Sequence, residues 1–145
     1  MTAENKTLEL TLTRTIPASP AEVYDAWMDP ANPGSVWHGV QKLAIQPKQD
    51  GLFYMVHRTD SGKDVPHYGR FLALERGNRV QHTWMSQYTR GMESLVTVSF
   101  VKQGEDTLLT LRHGGLPDDE ALRGHERGWT HFLGAFFGVA EKKRA

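Results

Sequence analysis

The chain has 145 residues, with 17 basic side chains set against 17 acidic ones and no cysteine. That length fits one domain whose core needs no disulfide or metal staple, and balanced charge excludes a broad field toward nucleic acid, an anionic membrane or an acidic substrate. Without cysteine there are no thiol nucleophiles or thiolate metal sites, and without a signal-like start or a run approaching about 20 apolar residues the expected location is cytoplasmic.

In LELTLTRTI, Leu8, Leu10 and Leu12 alternate with Glu9, Thr11 and Thr13, which predicts a strand with one buried face ending at Pro17. In ASPAEVYDAWMDP, Ser19 is placed to cap a helix that carries Pro20 and Glu22 in its first turn and groups Val23, Ala26 and Trp27 on one face. Pro30 and Pro33 then break it, leaving a short second turn or helix that carries Trp37 and His38. From about residue 42 to 113 six strands follow: KLAIQPK, GLFYMVHR, VPHYGRFLALE, NRVQHTWMS, SLVTVSFVKQ and DTLLTLRH. The breaks between them are short and turn-like, as at Asp60-Ser61-Gly62 and Arg76-Gly77-Asn78, so antiparallel hairpins are expected rather than helical crossovers.

A long helix opens after Gly114-Gly115-Leu116-Pro117, with Asp118 and Asp119 at its amino end and Lys142, Lys143 and Arg144 at the other, both favourable for its dipole. At about 100° per residue, Leu122, His125, Trp129, Phe132, Leu133, Phe136 and Ala140 fall in one arc. Gly124 and Gly128 lie along an edge of that arc, where a missing side chain admits another backbone or a ligand at a propensity cost of about 1 kcal/mol each. One strand, two short helical segments, six strands and a final helix (β-α-α-β6-α) make an α+β architecture in which a curved sheet covers the apolar stripe of the helix.

That order, together with Ala26-Trp27…Asp29-Pro30, the Trp37-His38-Gly39 step, the hairpin glycine Gly51, His82-Thr83-Trp84, DTLLTLRHGGLP and Gly128-Trp129, resembles the START-like (SRPBCC) superfamily. More narrowly it is similar to the branch named after the activator of the heat-shock-protein-90 ATPase, from about Leu8 to Ala140. The resemblance implies a helix-grip fold: a curved antiparallel sheet wrapped around the carboxyl-terminal helix, with a cavity between them that commonly takes a hydrophobic small molecule. A chaperone partner is not expected, since in the eukaryotic activator this domain accompanies a separate amino-terminal domain. Two positions depart from the usual pattern: Val40 replaces a proline after the WxG step, and Asp50 the first glycine of a double-glycine turn.

Alternation places Phe53, Met55 and His57 on the inward face, likewise Val80, His82 and Trp84, likewise Leu109, Leu111 and His113, with Val96, Val98 and Phe100 completing the wall. In VPHYGRFLALE, Phe71 and Leu72 cannot both point inward on a regular strand, so His67, Tyr68 and Arg70 stay unassigned and a bulge near Gly69 is one explanation. The candidate ligand wall is Trp37, Phe53, Met55, His57, His82, Trp84, Val98, Phe100, Leu111, His113, His125, Trp129, Phe132 and Phe136. Ordinary core packing is the commoner role of each such residue.

No metal or other cofactor is expected. His57, His82, His113 and His125 include no closely spaced pair that would converge within about 2.1 Å of one ion. In His125-Glu126-Arg127-Gly128-Trp129, tryptophan stands where a zinc-protease helix needs its second histidine, and no GxSxG, phosphate-loop or GxGxxG segment is present. The expected function is enclosure of a hydrophobic or aromatic small molecule between sheet and helix. Alternatives are a cyclase- or dehydratase-like enzyme using His57, His82 or His113 as acid or base, and a co-chaperone-like interaction module.

Overall fold

The computed structural model describes residues 7–29, 31–32, 35–37 and 40–144, with side chains through Gly134. Strand β1 (Leu8–Ile16) leads into helix α1 (Pro20–Met28), whose start is fixed by a reciprocal cap: Ser19 Oγ accepts from the Glu22 amide at 3.3 Å, and Glu22 Oε1 accepts from the Ser19 amide at 3.0 Å. Strands β2 (Lys42–Ile45), β3 (Leu52–Arg58), β4 (Asp64–Glu75), β5 (Arg79–Trp84), β6 (Ser94–Gln103) and β7 (Asp106–Leu116) follow, then helix α2 (Asp119–Arg144). They form one seven-stranded antiparallel sheet in the order β1-β7-β6-β5-β4-β3-β2. Only β1 arrives from afar; every other neighbour is joined by a hairpin, as the short turns between strands dictate.

The expected element order needs two corrections. Where a short second turn or helix was anticipated and counted as a helix in the element order, the described residues 31–32 and 36–37 form turns and bends, consistent with two prolines that cannot support continued helical hydrogen bonding; His38 lies outside the described residues. A 3-10 turn, Gln87–Thr89, sits instead between β5 and β6, capped by Ser86 Oγ accepting from the Tyr88 amide at 3.0 Å.

The awkward fourth strand is resolved by a bulge, three residues beyond the glycine near which one was anticipated. Phe71 pairs with His82 but Ala73 pairs with Gln81, so Leu72 is the extra residue. Val65, His67 and Phe71 therefore share the buried face, while Tyr68 points outward and is 44% exposed. Gly69 is needed for a different reason: a Cβ there would run into the Thr83 carbonyl. At the β2–β3 turn, a Cβ on Gly51 would meet the Gln46 carbonyl, and Asp50 takes a left-handed backbone (φ 61°) that glycine also favours.

The concave face is filled for most of its length. Trp27 and Trp129 stack at 6.0 Å, joining α1 to α2, and Trp37 packs edge-on against Trp27, anchored by its indole N–H donating to the Trp27 carbonyl at 2.8 Å. Helix α1 covers the Phe100 end of the sheet, where Tyr24 meets Phe100 at 6.0 Å, and α2 runs against β1 and β7. Among the described residues, no helix is long and apolar enough to cross a membrane.

Candidate functional site

Between the first turns of α2 and the strand ends of β3, β4 and β5 the interior opens into a cleft of about 730 Å³. Its strand side carries Met55, His57, Arg58, His67 and Trp84, together with Thr59 and Asp60 of the β3–β4 turn. Gln87, Tyr88 and Arg90 close one end, and α2 contributes Glu120, Ala121, Gly124, His125, Arg127, Gly128, Trp129, His131 and Phe132. The volume lies in the usual range for a small-molecule site, roughly 300–1,000 Å³.

Six of the anticipated wall residues line this cleft: Met55, His57, Trp84, His125, Trp129 and Phe132. Seven others face inward but do not reach it. Phe53 and His82 stack on one another at 4.5 Å, Val98 and Leu111 are opposed across β6 and β7 with no exposure, Phe100 lies under α1, Trp37 fills the space between Trp27 and Phe132, and His113 is sealed behind Trp84 and Trp129. They make the solid core on which the cleft is built. Phe136 lies outside the described side chains.

The histidines divide by hydrogen bonding. The Trp129 indole N–H donates to His113 Nδ1 at 3.0 Å, so that nitrogen holds the lone pair of a neutral ring. His113 Nε2–H then donates to Ser94 Oγ at 2.8 Å, and the Ser94 hydroxyl donates to the Trp84 carbonyl at 2.6 Å. His125 takes the opposite tautomer: its Nδ1–H donates to the Ala121 carbonyl at 2.8 Å and its Nε2 accepts the Trp84 indole N–H at 3.2 Å. Both rings are thus saturated as neutral imidazoles. Burial pushes the His113 pKa well below its ordinary value, and the neighbouring His125, His82 and His67 push the same way; burial also lowers that of His125, against the Ala121 carbonyl.

Among the described residues, two rings keep an unpaired buried nitrogen. His82 Nδ1–H donates to the Thr83 carbonyl at 2.8 Å, leaving Nε2 buried without a partner, and burial lowers its pKa to about 4. His67 leaves Nδ1 buried and unpartnered, and burial lowers its pKa to about 4 as well, with His125 and His57 adding to the effect. His57, half-buried at the mouth, is shifted down by burial and by His131. Among the described residues no three His, Asp or Glu side chains converge as a metal-binding cluster.

Sequence reasoning left out His67 and the rim. The signal for His67 was the adjacent pair Phe71-Leu72: placing the bulge at Leu72 puts His67 in phase with Phe71. Tyr88 and Arg90 carried no periodic signal, and the helical period placed Arg127 opposite the apolar arc, whereas it lines the cleft. Arg90 adopts φ 58°, and its guanidinium bonds Asp118 at 2.8 Å and Glu120 at 2.9 Å, tying the 3-10 turn to the start of α2. On the strand side Arg58 pairs with Asp64 at 2.7 Å.

A curved antiparallel sheet closed around a carboxyl-terminal helix, with a cleft along that helix, defines a helix-grip protein of the START-like class. The chain belongs to the family described as Activator of Hsp90 ATPase homolog 1-like protein, whose model matches residues 17–140. Among solved structures it resembles a Staphylococcus aureus protein of unknown function, SA2116, at 17% identity and TM-score 0.77, covering 97% of this chain and 98% of that one. Protein CV1439 of Chromobacterium violaceum is 22% identical with TM-score 0.77, covering 92% and 96%. CalU16 of Micromonospora echinospora is 21% identical with TM-score 0.68, covering 92% and 82%. At such identities the likeness speaks for the fold alone. No functionally curated protein matches the sequence significantly.

Proposed function

We propose that the protein binds a small apolar or aromatic molecule in the cleft between α2 and strands β3 to β5. The observation that carries this reading is the pair of glycines on the helix wall. Glycine inside a helix costs about 1 kcal/mol relative to alanine and usually repays it by close packing. Here a Cβ at Gly128 would meet nothing within 4 Å, and one at Gly124 would meet only the Arg127 guanidinium at 3.9 Å. Among the described residues no backbone from outside the helix approaches either position, so the bare stretch of helix borders the open space beside it. Trp84, Trp129, Phe132 and Met55 give that space apolar walls.

Replacing Gly128 by phenylalanine tests this directly, because its ring would enter the cleft without displacing any backbone. Native mass spectrometry of the purified protein and a thermal-shift panel of ring-bearing compounds are expected to find ligands for the wild type that Gly128→Phe no longer takes. Equal binding by the two proteins would reject the cleft as the site. Within this reading, acid–base chemistry would fall to His57 rather than to His82 or His113, because His57 lines the cleft and the other two do not.

A further inference from the structure

Resting on that reading, we propose that the ligand is a ring-bearing apolar molecule with one anionic group, its rings against Trp84, Trp129 and Phe132 and its anion at the Arg127 guanidinium. Three arginines stand on the rim, and two already have acids: Arg58 holds Asp64, and Arg90 holds Asp118 and Glu120. Arg127 forms no ion pair among the described residues. Its side chain folds back along α2, with Nη2 3.9 Å from the place a Cβ on Gly124 would occupy. The bare helix at Gly124 thus leaves room for a cation above the cleft, one turn from the open space at Gly128.

The orientation follows from the inner walls. Both indole N–H groups are engaged by His125 and His113, so Trp84 and Trp129, 5.0 Å apart, offer the cleft ring surface and no donor. An anion driven inward would lose its hydration beside neutral, desolvated imidazoles, which is costly, whereas at the rim it keeps water on one side and meets a permanent positive charge. Of the rim acids, Glu120 shares the single positive charge of Arg90 with Asp118, and Asp60 stands on the strand side, where it repels an anion toward α2. A planar carboxylate or sulfonate suits the guanidinium fork.

The test uses two fluorescent probes with the same ring system, 1-anilinonaphthalene-8-sulfonate and the neutral N-phenyl-1-naphthylamine, titrated into wild type, Arg127→Gln and Gly128→Phe. The sulfonate is expected to bind wild type about 5- to 10-fold more tightly than Arg127→Gln, as one partly screened charge-assisted contact allows. The neutral probe is expected to bind both alike, and Gly128→Phe to weaken both probes. Higher ionic strength should weaken the sulfonate with wild type only. If Gly128→Phe blocks both probes while Arg127→Gln leaves the sulfonate unchanged, the anionic head is overturned and the cleft stands. If neither probe binds, or Gly128→Phe binds both as wild type does, the cleft reading and this inference fall together.

Discussion

His113 and His125 lie with ring centroids 4.9 Å apart, yet carry their protons on different nitrogens because different partners hold them. Each accepts from an indole, so each fixes the orientation of a tryptophan that lines the cleft. Replacing His113 with leucine leaves the Trp129 N–H without an acceptor in a dry interior and takes from Ser94 Oγ the donor it accepts from, while the Ser94 hydroxyl keeps the Trp84 carbonyl. A loss of about 2–4 kcal/mol in urea unfolding is expected. The same burial makes acid a denaturant. Because His67 and His82 are held near pKa 4 in the folded chain against 6.5 unfolded, the unfolded chain takes up protons first. Stability is therefore full above about pH 6.5 and falls as pH drops toward 4, by on the order of 3 kcal/mol for each ring. A midpoint unchanged between those pH values would contradict the buried neutral state.

The elements show why some positions could be read in advance and others not. Strict alternation in β5 and β7 placed His82 and His113 inward, since a one-residue slip would have exposed every leucine and valine beside them. The extra residue Leu72 breaks that phase in β4, and with it went His67. On α2 the helical period gave the buried arc through His125, Trp129 and Phe132, but could not say what lay opposite the glycines. Two substitutions separate the reasons for glycine. Gly128→Ala gains helix propensity in open space and is expected to stabilise the protein by about 0.5–1 kcal/mol. Gly69→Ala must push the Thr83 carbonyl aside and is expected to cost more than about 2 kcal/mol, by the same urea measurement.

For the molecule as a whole, alternation specifies which face a side chain takes, not how far along the strand the filled core stops. That is why Val98, Phe100 and Leu111 shared a predicted wall with Met55 and Trp84, although core and cleft occupy different lengths of one concave surface. The sheet also stays open, with β1 at one edge and the four-residue β2 at the other. Hydrogen exchange should accordingly release the β2 amides first among the strands, and those of β6 and β7, paired on both sides, last.

Arg90 fastens the end of the cleft lined by Gln87 and Tyr88 with contacts that water and salt weaken. The turn bearing Tyr88 is joined to α2 by two ion pairs at the water's edge, each worth no more than about 1 kcal/mol. Salt screens both pairs and weakens that join. Stopped-flow uptake of the uncharged naphthylamine probe should therefore quicken as ionic strength rises, and be fast and salt-indifferent in Arg90→Ala.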